Sequence, residues 1–173
     1  MGGPGLRVLD LGCRTGALTQ HYARGNEVVG VDVDREALKR ARERLGLETI
    51  WADVEDSLPL PDGSFDAVVA GELLEHLADP ARAVAEARRV LRPGGRLVGS
   101  VPNAFRLKAR ILFAAGRSPD GDPTHLQLFN PEKLRALLSD FEDVRLQFAV
   151  GRYVHFSPRL MGRVQVFTAT KPV

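Results

Sequence analysis

The fold of this chain is decided by residues 6–16, which read LRVLDLGCRTG. An apolar run of strand length ends here in a turn bounded by Gly12 and Gly16, and residues 17–24 can continue as a helix. This order predicts a strand, a turn and a helix. Such a turn directs free backbone N–H groups and the positive end of a helix dipole toward the carboxyl end of the strand. We expect a small, partly anionic ligand to bind there.

A second apolar run, residues 28–32, ends in an acidic residue. Asp32 follows Gly12 by 20 residues, the separation at which the next parallel strand of a βαβ unit offers a carboxylate to ribose hydroxyls. The pattern predicts a nucleoside ligand. A dinucleotide is disfavoured, because Arg14 and Ala17 replace the second and third glycines of its fingerprint. The sequence also holds no GxxxxGK[ST] run that would bind a triphosphate.

The loop resembles the first motif of class I S-adenosylmethionine-dependent methyltransferases, which usually reads DxGxGxG. Asp10, Gly12 and Gly16 match it, and Arg14 stands in place of the middle glycine. The resemblance extends through nearly the whole chain, at residues 51–54 (WADV), 64–70 (SFDAVVA), 72–77 (ELLEHL), 79–80 (DP), 89–97 (RVLRPGGRL) and 125–129 (HLQLF). The run RVLRPGGRL is typical of small-molecule methyltransferases, and HLQLF resembles the branch that includes the ubiquinone-biosynthesis O-methyltransferases.

This resemblance implies that S-adenosylmethionine is the cofactor. It places the turn of residues 12–16 on the methionine part, Asp32 on the ribose, and Asp53 with Val54 at the adenine. The implied cofactor-binding residues are Asp10, Gly12, Cys13, Arg14, Gly16, Asp32, Val33, Asp53, Val54 and Ala70. At Arg14, either the backbone keeps a conformation that an L-residue tolerates or the cofactor lies farther out. The Arg14 side chain can reach the methionine carboxylate.

Alternating strand and helix patterns predict a single α/β domain over residues 1–173. Strands are expected near residues 6–11, 27–32, 48–51, 65–70, 96–101, 143–150 and 163–170. Helices are expected from Asp34 to Gly46, from Asp79 to Pro93–Gly94, and after Asn130. The resemblance implies a Rossmann-like methyltransferase sheet of seven strands in the order 3-2-1-4-5-7-6, with the last strand antiparallel and helices on both faces.

Composition excludes several classes of protein. The single cysteine, Cys13, rules out an intrachain disulfide framework, a cysteine-rich zinc site, and C5 methylation of a nucleic-acid base by a cysteine near the fourth strand. A net charge of +2 and the lack of an aromatic stacking array disfavour nucleic acid as a partner. Residues 1–5 show no targeting pattern, and nowhere do 18 apolar residues run together. We expect no transmembrane segment and a cytoplasmic location.

Residues 72–76 read ELLEH and carry candidate catalytic groups. If this run is helical, Glu72, Glu75 and His76 share one face above the carboxyl edge of the sheet, where open α/β sheets bind ligands. Two carboxylates and an imidazole can bind a divalent metal or transfer a proton; the alternative is a helix cap with a solvated face. Because similar runs in ubiquinone-type O-methyltransferases imply a metal in some relatives only, the metal stays open. We expect His76 or His125 to act as the general base and Glu72 to be a further catalytic residue.

The second half of the chain is basic on the expected acceptor side. Residues 104–118 carry four basic residues and no acid, interleaved with Phe, Ile and Leu, and residues 144–173 carry five basic residues and no acid. The basic residues are Arg106, Lys108, Arg110 and Arg117, then Arg145, Arg152, Arg159, Arg163 and Lys171. Three interpretations of residues 105–117 stand open: a lid over an acidic or amphipathic acceptor, a membrane-surface helix, or a cover for the core.

Relatives in the resembling family usually carry helices ahead of the first strand, and here the chain begins almost at that strand. The site is therefore expected to be open, or completed by a partner such as a second copy in a homodimer. The predicted function is transfer of the methyl group of S-adenosylmethionine to an oxygen, in preference to a nitrogen, of a small molecule. Arg14 and the missing cover favour an alternative, a methyltransferase-like module that binds the cofactor without turnover.

Overall fold

The computed structural model describes residues 5–119, 122–151 and 154–173, which are built around one seven-stranded sheet. The strands are β1 (Arg7–Leu11), β2 (Glu27–Asp32), β3 (Glu48–Trp51), β4 (Phe65–Gly71), β5 (Leu91–Pro102), β6 (Glu142–Ala149) and β7 (Val164–Thr170). Their order across the sheet is 3-2-1-4-5-7-6. Strands β1 to β5 pair in parallel, and β7 lies antiparallel to both β5 and β6. The expected sheet is confirmed.

Helices lie on both faces of this sheet. They are α1 (Arg35–Leu45), α2 (Pro80–Val90), α3 (Leu107–Ala114), α4 (Pro131–Leu137) and α5 (Pro158–Met161). Successive residues of β1 point to opposite faces, so Val8 packs in one apolar cluster together with Ala41 of α1. Leu9 belongs to the larger cluster, which includes Val84 of α2 and Leu134 of α4. The parallel strands are thus buried on both sides, as the alternating pattern predicts.

Helix α1 begins and ends where the sequence predicts. The Asp34 carboxylate accepts backbone N–H bonds from Glu36 at 2.9 Å and from Ala37 at 3.0 Å. Gly46 ends the helix in the left-handed conformation, with φ of 67°. This helix covers the loop between β1 and β2, because its Ala41 and Leu45 face Gly16.

Helix α2 is capped by Asp79 as predicted, and the Asp79 carboxylate accepts the N–H of Ala81 at 3.1 Å. It ends at Val90, ahead of the expected end at Pro93–Gly94. The helix ends early because Leu91 already pairs with Phe65 as the first residue of β5. The prediction that α2 includes Leu91 is therefore wrong.

The helix expected over residues 17–24 is not formed. A single 3-10 turn at Thr19–His21 takes its place. Only eight residues separate Gly16 from Gly25, and both glycines adopt positive φ, so an isolated helix of this length gains little. Thr19 is fully buried and donates its hydroxyl to the Asp10 carboxylate, which fixes the segment in a tighter turn. The helix dipole expected above β1 is therefore absent.

Helix α3 lies in the basic segment of residues 105–117 and is largely exposed. Only Ala109 of this helix is buried, while Ile111 and Phe113 are 61% and 72% exposed. The interpretation of this segment as a cover for the core is wrong, because Ile111 and Phe113 face outward and no residue of α3 belongs to the described core clusters. The short helix α5, which lies between β6 and β7, was also not expected from the sequence.

Among the described residues, none of the helices combines the length and apolar character needed to cross a lipid bilayer. Two sequence expectations involve residues outside the described ranges. The first is that residues 1–5 show no targeting pattern, and residues 1–4 lie outside these ranges. The second is the basic group of residues 144–173, of which Arg152 lies outside them.

Candidate functional site

A cavity of about 480 Å³, called here the strand-end cavity, opens at the carboxyl ends of β1, β2 and β4. Its lining brings together many residues that the sequence singled out: Gly12, Arg14, Asp32, Val33, Asp53, Val54, Glu72 and His76. The rest of its lining was not assigned to a site from the sequence: Asp34, Glu55, Leu73, Leu77 and Thr124. Open α/β sheets bind ligands at this edge, so the strand-end cavity is the candidate cofactor site.

The loop after β1 forms the floor of this cavity in an unusual backbone conformation. Gly12, Arg14 and Gly16 have φ of 68°, 46° and 73°. A Cβ on Gly12 would lie 2.8 Å from the Leu73 side chain, and the positive φ also favours glycine at this position. Arg14 takes a conformation that costs an L-residue roughly 1 to 2 kcal/mol. The strain is offset because the Arg14 N–H donates to the Asp32 carboxylate at 2.8 Å.

Asp32, at the end of β2, organises the loops on either side of it. One carboxylate oxygen accepts the Arg14 N–H at 2.8 Å and the other accepts the Asp34 N–H at 2.9 Å. Asp32 is only 7% exposed, yet it lines the strand-end cavity. Its neighbour Val33 is 60% exposed, and the Val33 carbonyl accepts the Trp51 indole N–H at 2.8 Å. Asp32 is thus fixed in place with lone pairs left for a ligand.

The strand-end cavity is strongly acidic. Its lining holds five carboxylates, those of Asp32, Asp34, Asp53, Glu55 and Glu72. Arg14 and His76 are the basic residues of the same lining. A lining of this kind attracts a cationic ligand that also carries hydroxyl donors.

Asp10, one of the predicted cofactor residues, lies outside the cavity lining. It is 2% exposed and accepts the Thr19 hydroxyl beneath the loop. Burial, opposed in part by that hydrogen bond, raises the pKa of Asp10 to about 6. In this structure Asp10 supports the loop from below.

Three further predicted cofactor residues also support the cavity from outside its lining. Cys13 is buried against Gly30, where an added Cβ would lie 2.6 Å from the Cys13 sulfur. Burial, with the charges of Asp10 and Asp32, raises the pKa of Cys13 to about 12, so the thiol stays protonated and is no nucleophile. Gly16 and Ala70 lie against α1 and inside β4, respectively.

The run after β4 does not form the expected helical face. Only Leu74–His76 form a 3-10 turn, and Glu72 ahead of it adopts a left-handed φ of 50°. Glu72 and His76 line the strand-end cavity, whereas Glu75 is 1% exposed with both carboxylate oxygens buried. The predicted convergence of Glu72, Glu75 and His76 is wrong. Burial of Leu74 and Glu75 selects the turn over the helix.

His76 is oriented by the segment at Thr124. Its Nδ1 lies 3.2 Å from the Thr124 carbonyl oxygen and 3.1 Å from the Thr124 hydroxyl. A carbonyl oxygen only accepts, and the Thr124 hydroxyl donates to Asp122 at 2.6 Å, so Nδ1 must carry a proton. The hydrogen bonds that Thr124 donates to Asp122 lower the pKa of the Asp122 carboxyl group. In neutral His76, Nε2 therefore holds the basic lone pair.

His125 lies behind His76 and outside the cavity lining. The two imidazole rings have centroids 4.8 Å apart and meet edge to face. Ligand atoms of Glu75, His76 and His125 lie within 4.8 Å of one another, close enough to share a metal ion. His125 is brought there because the Glu75 carbonyl accepts the N–H groups of Leu126 and Gln127. A metal group within the described residues thus includes His125 in place of Glu72.

A second cavity of about 420 Å³, called here the side cavity, lies beside the first at the carboxyl end of β5. The two cavities share Glu72. The rest of the side cavity is lined by Pro102, Asn103, Ala104, Arg106, Pro119, Val150, Arg163 and Val164. Asn103 and Arg163 are far apart in sequence, and no local motif signalled that they meet.

Three features define a class I S-adenosylmethionine-dependent methyltransferase: the sheet order, the left-handed loop after β1, and the acidic end of β2, which faces the same cavity as that loop. Residues 9–99 match the family described as Methyltransferase domain, and the chain belongs to that family. The resemblance found in the sequence is therefore confirmed. S-adenosylmethionine is the methyl donor of these proteins, and the acidic lining with its glycine loop fits a cationic nucleoside donor.

Relatives agree with this assignment. The chain is 39% identical over 143 residues to a probable S-adenosylmethionine-dependent methyltransferase of Mycobacterium tuberculosis, covering 80% of this chain and 50% of the relative. It is 37% identical over 150 residues to a ubiquinone biosynthesis O-methyltransferase of Xanthomonas oryzae, covering 80% and 62%. The chain thus spans about half the length of the curated relatives it matches.

Solved structures show the same fold. A SAM-dependent methyltransferase from Archaeoglobus fulgidus superposes with a TM-score of 0.77, covering 98% of this chain and 87% of the other. Its sequence identity is 23%, so the comparison bears on the fold alone.

Proposed function

We propose that this chain transfers the methyl group of S-adenosylmethionine to an oxygen, in preference to a nitrogen, of a small-molecule acceptor. The observation that carries the proposal is the placement of His76. It lines the strand-end cavity, and its Nδ1 proton is held by the Thr124 carbonyl, so Nε2 is available as a base. The name of the Xanthomonas oryzae relative, an O-methyltransferase, supports oxygen as the accepting atom.

The strand-end cavity supplies a group for each part of the cofactor. We assign the turn of residues 12–16 to the methionine part, with the Arg14 guanidinium toward its carboxylate. Asp32 is assigned to the ribose hydroxyls, and Asp53 with Val54 to the adenine. The excess of carboxylates in the lining favours the cationic sulfonium and amino groups.

The reaction needs an electrophile, alignment and removal of a proton. The sulfonium supplies the electrophilic methyl group and the leaving group. As the acceptor oxygen forms its bond to the methyl carbon, the bond from carbon to sulfur breaks, and S-adenosylhomocysteine is released. The two cavities meet at Glu72, so an acceptor in the side cavity would lie next to the cofactor. Alignment of two bound reactants can contribute up to about 7 to 11 kcal/mol.

His76 Nε2 accepts the proton of the acceptor hydroxyl in this proposal. An imidazole can accept and release a proton at neutral pH, which suits this role. Thr124 and Asp122 hold the ring in the required tautomer through their hydrogen bonds. His125 is the second candidate base; it touches the His76 ring but does not line the strand-end cavity.

Replacement of each histidine tests the assignment of the base. We expect His76→Gln to lower the rate of S-adenosylhomocysteine formation about 100-fold, the usual contribution of a general base, with little change in cofactor affinity. His125→Gln is the matched comparison and should have the smaller effect. If neither variant changes the rate more than a few-fold, His76 is not the base.

A metal role for Glu75, His76 and His125 is tested separately. Their ligand atoms are close enough for one ion, so a metal that orients the acceptor would be lost on treatment with EDTA. Metal analysis of the purified protein before and after EDTA gives the occupancy, and the assay gives the activity. Unchanged values in both measurements exclude a metal role.

The competing function is a module that binds S-adenosylmethionine without turnover. The left-handed Arg14 in the cofactor loop is the observation that favours it. A broad panel of phenols, acids and amines, assayed for S-adenosylhomocysteine, separates the two functions. An enzyme yields product with at least one acceptor, whereas the module binds the cofactor and yields none.

A further inference from the structure

The side cavity differs from the strand-end cavity in charge. The strand-end cavity is lined by five carboxylates, whereas the side cavity is lined by Arg106 and Arg163 and has Glu72 as its one acidic residue among the described lining. Glu72 lies at the junction of the two cavities. The pair of cavities is therefore polarised, with a basic end remote from the cofactor and an acidic end beside it.

The two arginines of the side cavity have no ion-pair partner among residues 5–119, 122–151 and 154–173. Other arginines of the protein do have such partners. Arg89 pairs with Glu86 and Asp62, and Arg92 pairs with Asp66. Two guanidinium groups that line one cavity and form no ion pair with the one carboxylate of its described lining, that of Glu72, provide strong donors for an anion.

A buried amide fixes the two arginine-bearing segments relative to each other. Asn103 is 4% exposed, and its Nδ2 donates to the Arg159 and Gly162 carbonyls, each at 2.9 Å. Its backbone N–H donates to the Arg163 carbonyl at 2.8 Å, and its Oδ1 accepts the Phe105 N–H at 3.2 Å. The segment just ahead of Arg106 is thereby tied to the segment of residues 159–163. The backbone that carries the two arginines is therefore positioned before a ligand arrives.

We propose that the side cavity binds a methyl acceptor that carries a carboxylate or phosphate group, and that Arg106 and Arg163 bind this anion. This inference rests on the proposed methyl transfer and adds the substrate class. Repulsion from Glu72 keeps the anion at the arginine end, so the nucleophilic end of the acceptor faces the strand-end cavity. The polarity of the cavity thus fixes the orientation of the acceptor.

A matched pair of ligands tests the anion site. The probes are 3,4-dihydroxybenzoate and its methyl ester, which differ in one negative charge, together with phenyl phosphate as a second anion. Each is titrated by calorimetry into the protein saturated with S-adenosylhomocysteine. We expect the acid to bind roughly tenfold or more tightly than the ester, because hydrogen bonds between charged groups are strong. Binding of the acid should also weaken with added salt, whereas binding of the ester should not.

Variants locate the site. Arg106→Gln and Arg163→Gln should each remove the preference for the acid, while Lys108→Gln, which removes the same charge from an exposed position on α3, should retain it. Binding of S-adenosylhomocysteine, measured in the same variants, reports on the cofactor site alone and separates failure of this proposal from failure of the proposed function. Equal affinity for acid and ester, or no saturable binding of either anion, overturns the proposal. A preference that survives in both arginine variants also overturns it.

Discussion

Two buried carboxylates at the ends of neighbouring strands have different surroundings and different tasks. Asp32 accepts backbone N–H bonds on both oxygens and reaches the strand-end cavity. Asp10 accepts a hydroxyl from Thr19 and lies beneath the loop, where burial raises its pKa to about 6. The same motif therefore holds one acid that can bind a ligand and one that supports the loop.

The first prediction concerns the affinity for the cofactor. Asp32→Ala should weaken binding of S-adenosylmethionine by about 1.5 to 3 kcal/mol, the range for hydrogen bonds to a charged group. Calorimetric titration measures this loss, and Asp56→Asn, which changes a nearby exposed carboxylate outside the cavity lining, is the control. Unchanged affinity in Asp32→Ala would refute the ribose assignment, and tighter binding of NAD than of S-adenosylmethionine would overturn the cofactor class.

The second prediction concerns pH and stability. The folded protein holds the Asp10 proton with a pKa of about 6, against 3.8 for the ordinary group. The stabilisation from Asp10 is thus present in full below about pH 4 and is lost as the pH rises through 6. Relative to Asp10→Asn, which is neutral throughout, the wild-type free energy of unfolding should fall by about 2 to 3 kcal/mol between pH 4 and pH 7.

Urea unfolding at several pH values measures that difference. Asn retains an oxygen that can accept the Thr19 hydroxyl, so the Asn variant isolates the charge. Asp10→Ala, which leaves the Thr19 hydroxyl without its acceptor, should be less stable than Asp10→Asn by about 1 to 3 kcal/mol. Stability curves of wild type and Asp10→Asn that run parallel across this pH range would show that burial does not perturb Asp10.

At the scale of elements, the sequence predicts what periodicity and capping determine. The strands and the start of α1 at Asp34 follow from alternation of apolar residues and from a cap. Two failures lie at residues 17–24 and 72–76, where helical spacing is overridden by tertiary contacts. Thr19 is drawn to Asp10, and Glu75 is buried, so both segments form 3-10 turns. Contacts between residues distant in sequence leave no periodic signal.

The third prediction concerns the contact between β2 and the loop after β1. A Cβ on Gly30 of β2 would lie 2.6 Å from the Cys13 sulfur, so Gly30→Ala should destabilise the protein by about 1 to 3 kcal/mol through overpacking. Cys13→Ala removes the sulfur. In the double variant Cys13→Ala/Gly30→Ala the new methyl group therefore finds space, and the loss should be smaller than the sum of the single losses.

Urea unfolding of the two single variants and the double variant gives the coupling between these positions. Binding of S-adenosylmethionine to the same proteins shows whether the loop keeps its shape. Additive losses would mean that Cys13 does not limit the space at Gly30, and the packing described for the loop would be wrong.

At the scale of the whole molecule, the proposed cofactor cavity is easier to predict from the sequence than the proposed acceptor cavity. The strand-end cavity is formed mainly by short segments that follow β1, β2 and β4, and each segment carries a local motif. The side cavity brings Asn103 and Arg106 together with Arg163, which is distant in sequence and lies just before β7. Its composition could be read as basic from the sequence, but the meeting of these residues depends on the antiparallel pairing of β5 with β7.

The last prediction concerns the exposed face of α3, where Ile111 and Phe113 are 61% and 72% exposed among basic residues. Apolar side chains of this size in a cationic setting favour association with a second copy or with an anionic lipid surface. Light scattering tests the first association, and flotation with vesicles of phosphatidylcholine and phosphatidylglycerol tests the second. The variant Ile111→Ser/Phe113→Ser should abolish whichever is found, whereas Leu128→Ser, at an exposed leucine outside α3, should not. A strict monomer that ignores anionic vesicles would contradict both associations and would leave a lid over the acceptor as the interpretation of residues 105–117.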